Sequence, residues 1–387
     1  MALNIVYDVG ARDEHPEHTG FAHLFEHLMF GGSAHIPDYD TPLQLAGGEN
    51  NAWTNNDITN YYLTVPKTNV ETAFWLESDR MLELTFSEQG LEVQRGVVME
   101  EFKQRCLNQP YGDIGHLFRP LAFRVHPYRW PTIGKELSHI EQATLDEVKS
   151  FFYRFYAPNN AVLAVTGNIS WDETVKLTEK WFAPIPRRDV PVRQLPQEPE
   201  QTQERRLTVE RNVPLDALFM GYHMCSREGA DYYAFDILSD ILSNGRSSRL
   251  NRRLVQEQNI FSGIDAYISG TRDAGLLQIS GKPAAGVSLE QAEAAVRKEL
   301  EELQQSPVDG QELEKVKNKF ESTQIFGNIN YLNVATNLAW FELTGKAEDI
   351  DLEVERYRSV TTEQLHTVAQ RTFCESNAVV LYYKSDK

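Results

Sequence analysis

The sequence predicts an α+β protein made of two homologous domains, each a mixed β-sheet packed with α-helices. Three observations carry this. The 387 residues exceed one ordinary core, whereas two domains of about 190 residues match domain-size statistics. The two halves also echo each other. "LNIVYDVGARDEHPEHTGFAHLFEHLMFGGS" finds its counterpart in "LFMGYHMCSREGADYYAFDILSDILSNGRSS", and "APNNAVLAVTG" finds its own in "CESNAVVLYYK". Pairing His27 with Asp240 gives an offset of 213, and pairing Asn160 with Asn377 gives 217, so two landmarks agree within a few residues. Finally, strand and helix patterns mix without strict βαβ alternation, which favours a mixed sheet under helices over a doubly wound fold.

Taken in order, strand patterns fall at 2–9, 60–65, 161–166, 217–222, 275–281 and 378–383. Helical periodicity marks 20–30, 68–84, 88–108, 144–155, 171–182, 231–243, 288–304, 310–325 and 362–372. Three of these open on a capping box: Ser170 with Glu173, Ser288 with Gln291 and Thr361 with Gln364. The stretch "APIPRRDVPVRQLPQEPEQTQERR", residues 183–206, has no usable period and reads as a linker. The expected organisation is therefore a first domain over 1–185, a linker over 186–205 and a second domain over 206–387.

A hydrophobic share of 41% and a charged share of 24% are those of a soluble globular chain. No window approaches about 18 continuous apolar residues, so no membrane span is expected. The net charge of −18 argues against nucleic acid and favours basic or unfolded polypeptides as partners. Cys106, Cys225 and Cys374 are widely spaced without a Cys-x-x-Cys, and read as free structural thiols. The opening residues "ALNIVYDV" read as a strand and not as a signal peptide. Because the chain starts abruptly inside a sheet pattern, a segment upstream of Met1 is expected to be missing. The compartment stays open between a bacterial cytoplasm and periplasm.

The chemistry concentrates in "GFAHLFEHLMFGGS", residues 20–33. At about 100° per residue, Glu26 lies roughly −60° and His27 roughly +40° from His23, so the three side chains share one arc. The two imidazoles stand one turn apart, a spacing that lets both reach a single zinc ion. Glu26 beside them is placed to meet a water and not the metal. Two surface histidines on an amphipathic helix would be the plainer account. However, the flanking Phe21, Leu24, Phe25, Leu28 and Met29 are apolar, and buried polar groups need a partner.

A third ligand must come from elsewhere. In "LEVQRGVVMEEFKQR", Gln94, Val97, Val98 and Glu101 follow helical spacing and would line one inward stripe. Glu100 is rotated about 100° away and reads as a surface residue.

His23-Leu-Phe-Glu26-His27, with Glu101 after 73 intervening residues, resembles the inverted zinc-peptidase motif of the pitrilysin and insulinase group, relatives of the mitochondrial processing peptidases. The resemblance runs along nearly the whole chain, through "YDVGARDEHPEHTGFAHLFEHLMFGGS", "GGENNAWTNNDITNYY", "RGVVMEE" and "NGRSSRL". It implies a LuxS/processing-peptidase-like metallohydrolase fold, one Zn2+ per chain held by His23, His27 and Glu101, and Glu26 as general base. It also implies a peptide or unfolded polypeptide substrate added in extended form to an edge strand, with Asn51, Ala52 and Trp53 in contact. Family members of this length pair two chains around a chamber, so a homodimer, or a heterodimer with a related subunit, is expected.

Three positions depart from the family. Where family members often carry a glutamate seven residues before the ligand glutamate, in support of the metal ligands, Gln94 stands here; it can hydrogen-bond a ligand histidine without adding charge. For the arginine and tyrosine that hold the substrate carbonyl, "NRRLVQEQNIFSG" offers Arg252 and Arg253, but Phe261 stands near the tyrosine's place and cannot donate. The strand expected ahead of "ALNIVYDVG" is absent. Opposite His23, Glu26 and His27, the second half carries Asp236, Ser239 and Asp240, which implies a structural half without the metal. The alternative readings are a non-catalytic partner or assembly subunit, and a zinc hydrolase acting on something other than peptide. The complete set of ligands and base argues against the first, and the edge strand against the second.

Overall fold

Strand order repeats between the two halves of the chain. In the computed structural model, which describes residues 1–386, the first sheet runs β2 (Glu49–Thr54), β3 (Thr59–Thr64), β1 (Ala2–Tyr7), β4 (Ala161–Thr166). The second runs β5 (Arg205–Arg211), β9 (Ala378–Ser385), β6 (Ala217–His223), β8 (Leu276–Pro283), β7 (Phe261–Ile268). Read backwards, β7-β8-β6-β9 reproduces β2-β3-β1-β4, strand for strand, so the sequence echo is a duplication of topology. All neighbours are antiparallel except β5 with β9, the parallel pair that makes the second sheet mixed.

Two units result, and each borrows a piece from the other half. Unit 1 holds residues 1–116, 125–197 and 326–350, while unit 2 holds 117–124, 198–325 and the chain from 351 onward. In unit 1 the helices α1 (Phe21–Leu28), α2 (Val70–Leu82), α3 (Glu88–Phe102), α4 (Leu145–Phe155) and α5 (Trp171–Trp181) belong to the first half. Unit 2 contributes α6 (Tyr232–Ser243), α7 (Leu289–Gln305), most of α8 (Gly310–Gly327) and α10 (Thr362–Thr372). Between the last two, α9 (Tyr331–Thr344) returns to unit 1.

The first sheet is covered on both faces. One face buries Leu3, Ile5, Tyr7, Tyr61 and Leu63 with Phe21, Leu24 and Phe25 of α1. The other buries Ala2, Val6, Ile58 and Ala164 against Ala335 and Ala339 of α9. Thr166 Oγ1 donates to the Tyr331 carbonyl (2.7 Å) and Thr336 Oγ1 to Asn4 Oδ1 (3.3 Å), pinning that helix across the strands. Unit 2 is served the same way by residues 117–124. Gly221 of β6 lies so close to the Phe118 ring that a Cβ would stand 2.8 Å from it, and Phe123 packs edge-on against His223 at 5.4 Å.

The sequence pattern places most elements within a few residues and misses others for identifiable reasons. Apolar side chains spread all round α9, and its small alanines face a sheet from the other half, so its sequence carries no single stripe. β5 lies at the end of the linker with charged residues on its edge, and β7 carries Gly263 and a register shift between Phe261 and Gly263. The linker itself is tied down. Arg188 donates to the Tyr156 and Leu82 carbonyls (2.6 and 2.8 Å), and Arg193 pairs with Asp8 and Asp13 (2.7 and 2.5 Å). The helix expected over 88–108 ends as an α-helix at Phe102 and continues as a π turn, Lys103–Leu107. Among the capping boxes, Ser288 with Gln291 is reciprocal; Ser170 and Thr361 accept their N3 amides. The three cysteines are free.

Candidate metal centre

The helix that carries the motif is held from its N-terminus. Gly20 sits at φ +88 as its N-cap, where a Cβ would stand 2.6 Å from Ile140 Cδ1, so glycine is required there. The buried Glu14 carboxylate accepts the Gly20 and Ala22 amides (2.9 and 2.8 Å), filling orphan donors of the first turn. Burial pushes the Glu14 carboxyl up to about 8, against the pull of those two amides. Phe21, Ala22, Leu24 and Phe25 are buried, so the helix cannot rotate without exposing core. That orientation leaves His23, Glu26 and His27 along one side.

α3 supplies the third donor. His23 Nε2 and His27 Nε2 are 3.3 Å apart, and Glu101 Oε2 lies 3.5 Å from the first and 3.3 Å from the second. Two ligands about 2.0–2.1 Å from a tetrahedral zinc stand about 3.3–3.4 Å apart, so this triangle fits one face of such a site. Two imidazoles and a carboxylate are also the donor types zinc takes in hydrolytic sites. This is the one cluster of three or more potential ligands of this kind among the described residues. Glu100 faces solvent and pairs loosely with Lys103 at 3.7 Å.

The inward stripe on α3 is narrower than its spacing predicts. Val98 is fully buried, but Val97 is 47% exposed. The buried arc is centred on Leu91, Val98 and Phe102, with Glu101 at its margin. The Gln94 side chain is half-buried and makes no hydrogen bond among the described residues, and His23 Nδ1 is buried without a partner.

Electrostatics favour the ligating forms. Burial lowers the His23 pKa to about 4, outweighing the nearby Glu101 charge, so the ring is neutral at ordinary pH. Glu101 is held below its usual range, first by its hydrogen bond with His27 and then, against burial, by the charge of Arg105. Glu26 moves the other way: burial raises it, against a hydrogen bond from Thr54 Oγ1 to Oε2 of 2.6 Å.

That threonine belongs to β2, the open edge of the first sheet. Register places Ala52 opposite Tyr61 and Thr54 opposite Thr59, on the face that packs α1, with Asn50 beside them. Asn51 and Trp53 lie opposite Tyr62 and Asn60, on the face toward α9. Of the three residues proposed to touch an added strand, Ala52 alone turns its side chain to the metal-helix side. The Ala52 amide is taken by the neighbouring Asn51 Oδ1 at 2.8 Å, which marks it as pointing out of the sheet edge.

Other predicted positions are spoken for. Arg253 Nη1 pairs with Glu299 and Glu302 of α7 (2.7 and 2.5 Å), while the half-exposed Arg252 lies 3.7 Å from Glu257. Phe261 is fully buried. In α6, Asp236 accepts from Tyr357, Ser239 donates to the Asp236 carbonyl, and Asp240 accepts from Asn244 (2.7 Å). Three contributors escaped sequence reasoning: Thr54, Glu14 and Arg105. Strand alternation from Ala52 would have placed Thr54 on the α1 face, and i,i+4 spacing would have placed Arg105 beside Glu101. Nothing local marks Glu14.

Fold and site together define a duplicated α+β scaffold with one three-donor cluster and an adjacent carboxylate in its first unit. Two models of one family match it: "Insulinase (Peptidase family M16)" over residues 1–111 and "Peptidase M16 inactive domain" over residues 142–320. The chain belongs to this pitrilysin/insulinase-type family. It is 26% identical over 99% of its length to the zinc protease PqqE of Helicobacter pylori, covering 87% of that protein. It is 25% identical to the uncharacterized zinc protease YmxG of Bacillus subtilis, covering 98% of this chain and 92% of that one. The crystal structure of a protease from Helicobacter pylori superposes with a TM-score of 0.92 at 26% identity, over 99% of this chain and 94% of that one. The peptidase M16 inactive domain from Pseudomonas fluorescens, at 17% identity, shares the fold with a TM-score of 0.89 over 100% of this chain and 93% of that one.

Proposed function

We propose that this chain is a zinc-dependent endopeptidase acting on peptides or unfolded polypeptides bound as an extended strand along β2. The observation that carries the reading is the triangle of His23, His27 and Glu101 donors with Glu26 beside it. In this reading the three hold one zinc ion, which when bound supplies Lewis acidity and makes water a nucleophile near neutral pH. Glu26 takes the proton of the attacking water and returns it to the leaving amine. Thr54 fixes one oxygen of Glu26, leaving the other for that transfer, and burial raises the pKa of this carboxyl against the pull of that hydrogen bond. The open β2 edge offers main-chain groups that grip a substrate backbone with little regard for its sequence. The zinc-protease names of the relatives support this reading, and the inactive-domain match agrees with a second half that carries Asp236 and Asp240, and no imidazole, opposite His23 and His27.

The deciding experiment is Glu26→Gln, assayed on a quenched peptide library together with metal analysis. Zinc is expected near one per chain in both proteins, with peptide cleavage lost in the variant by about 10²-fold or more. A variant that cleaves as fast as the wild type removes Glu26 from the mechanism. A wild type that takes up zinc but cleaves nothing points instead to a non-catalytic subunit.

A further inference from the structure

Arg105 is the group that decides which oxygen of Glu101 faces the histidines, and we propose it as a positioning residue of the metal centre. The inference rests on the zinc reading above. The two carboxylate oxygens of Glu101 have separate partners: Oε2 lies 3.5 and 3.3 Å from the two imidazole nitrogens, and Oε1 lies 2.9 Å from Arg105 Nη2. The carboxylate is thereby held with a single oxygen toward the metal position, which leaves room there for a water.

The local backbone serves the contact. α3 ends at Phe102, and Arg105 sits in the middle of the π turn Lys103–Leu107, a widened turn of the kind often retained at functional sites. Arg105 is 68% exposed and Glu101 only 19%. As a stabilising surface ion pair this would be worth little, so its value lies in orientation.

Three accounts of Arg105 predict three different signs. If it positions Glu101, its removal weakens zinc. If it acts only as a positive charge near a cation, its removal tightens zinc. An idle surface pair changes nothing. The test is zinc competition against a chromophoric chelator, with the full-length Arg105→Ala and Arg105→Lys proteins alongside wild type and thermal melts of each metal-free protein. Arg105→Ala is expected to bind zinc about 10- to 100-fold more weakly, as losses of outer-shell partners typically do. Its metal-free melt should match wild type, and Arg105→Lys should recover part of the affinity through its remaining donor. Unchanged or tighter zinc in Arg105→Ala overturns the proposal. So does a weakening matched by an equal loss in the metal-free melt. A wild type that binds no zinc overturns the reading beneath it instead.

Discussion

His23 is pulled in one direction by burial and by its proposed task. At 8% exposure its ring resists protonation down to about pH 4, and the neutral imidazole is the form that binds metal. Glu101 reaches the same end differently, held below its usual range first by its hydrogen bond with His27 and, against burial, by the Arg105 charge beside it. Neighbouring carboxylates on one helix therefore have different fates. Glu101 completes the triangle, and Glu100 is 58% exposed beside Lys103. Glu101→Gln is expected to weaken zinc retention by at least about 10-fold, and Glu100→Gln to leave it near wild type, measured by chelator competition. Equal retention in the two variants would mean the third ligand is misassigned. Residue types and spacing made His23, Glu26 and His27 legible in the sequence. They could not show that Thr54 holds Glu26, because that bond joins residues 28 apart through a sheet edge.

At the scale of elements, the first sheet depends on a helix from the far end of the chain. Ala335 and Ala339 of α9 are fully buried against Ala2, Val6 and Ala164, a contact that small side chains permit. Ala339→Leu should destabilise the protein by about 1–3 kcal/mol in denaturant unfolding, since added methylenes have no space there. A loss under about 0.5 kcal/mol would mean that the helix does not press on the sheet.

In unit 2 a different device ties β5, α7 and β9 together. Glu293 accepts from Arg206 (2.8 and 2.7 Å), Arg297 (2.7 Å) and Tyr382 (2.5 Å). Burial alone would raise its carboxyl, but those hydrogen bonds win and hold it near 2, against an ordinary value of 4.5. A folded pKa below the unfolded one stabilises above about pH 4.5 and is lost as pH falls toward 2. Wild type should therefore exceed Glu293→Gln in stability at neutral pH, with the gap closing between about pH 4.5 and 2 in acid-unfolding curves. A gap that stays constant across that window would take Glu293 out of the linkage.

For the whole molecule, the proposed working form is a pair of chains enclosing an unfolded substrate. Light scattering on the purified protein should give twice the mass of one chain, or a complex with a related subunit where one is co-expressed. A lone chain that still cleaves peptides at full rate would dispense with the chamber.

The sequence by itself determined the duplication and the helix with its two imidazoles and carboxylate, because both are written in local order: a repeat offset and a 3.6-residue period. It also pointed to Glu101 over Glu100, although its stripe overreached at Val97. Only the tertiary structure decided the rest. Helix 331–344 and residues 117–124 fold into the unit opposite their own half, Asn51 and Trp53 turn to a different face from Ala52, and Arg105 and Thr54 each take an oxygen of a site carboxylate. The physical reason is common to all of these. They are set by which surfaces meet across the sheet and around the helix ends, and packing of that kind leaves no periodic trace in the segment that supplies it.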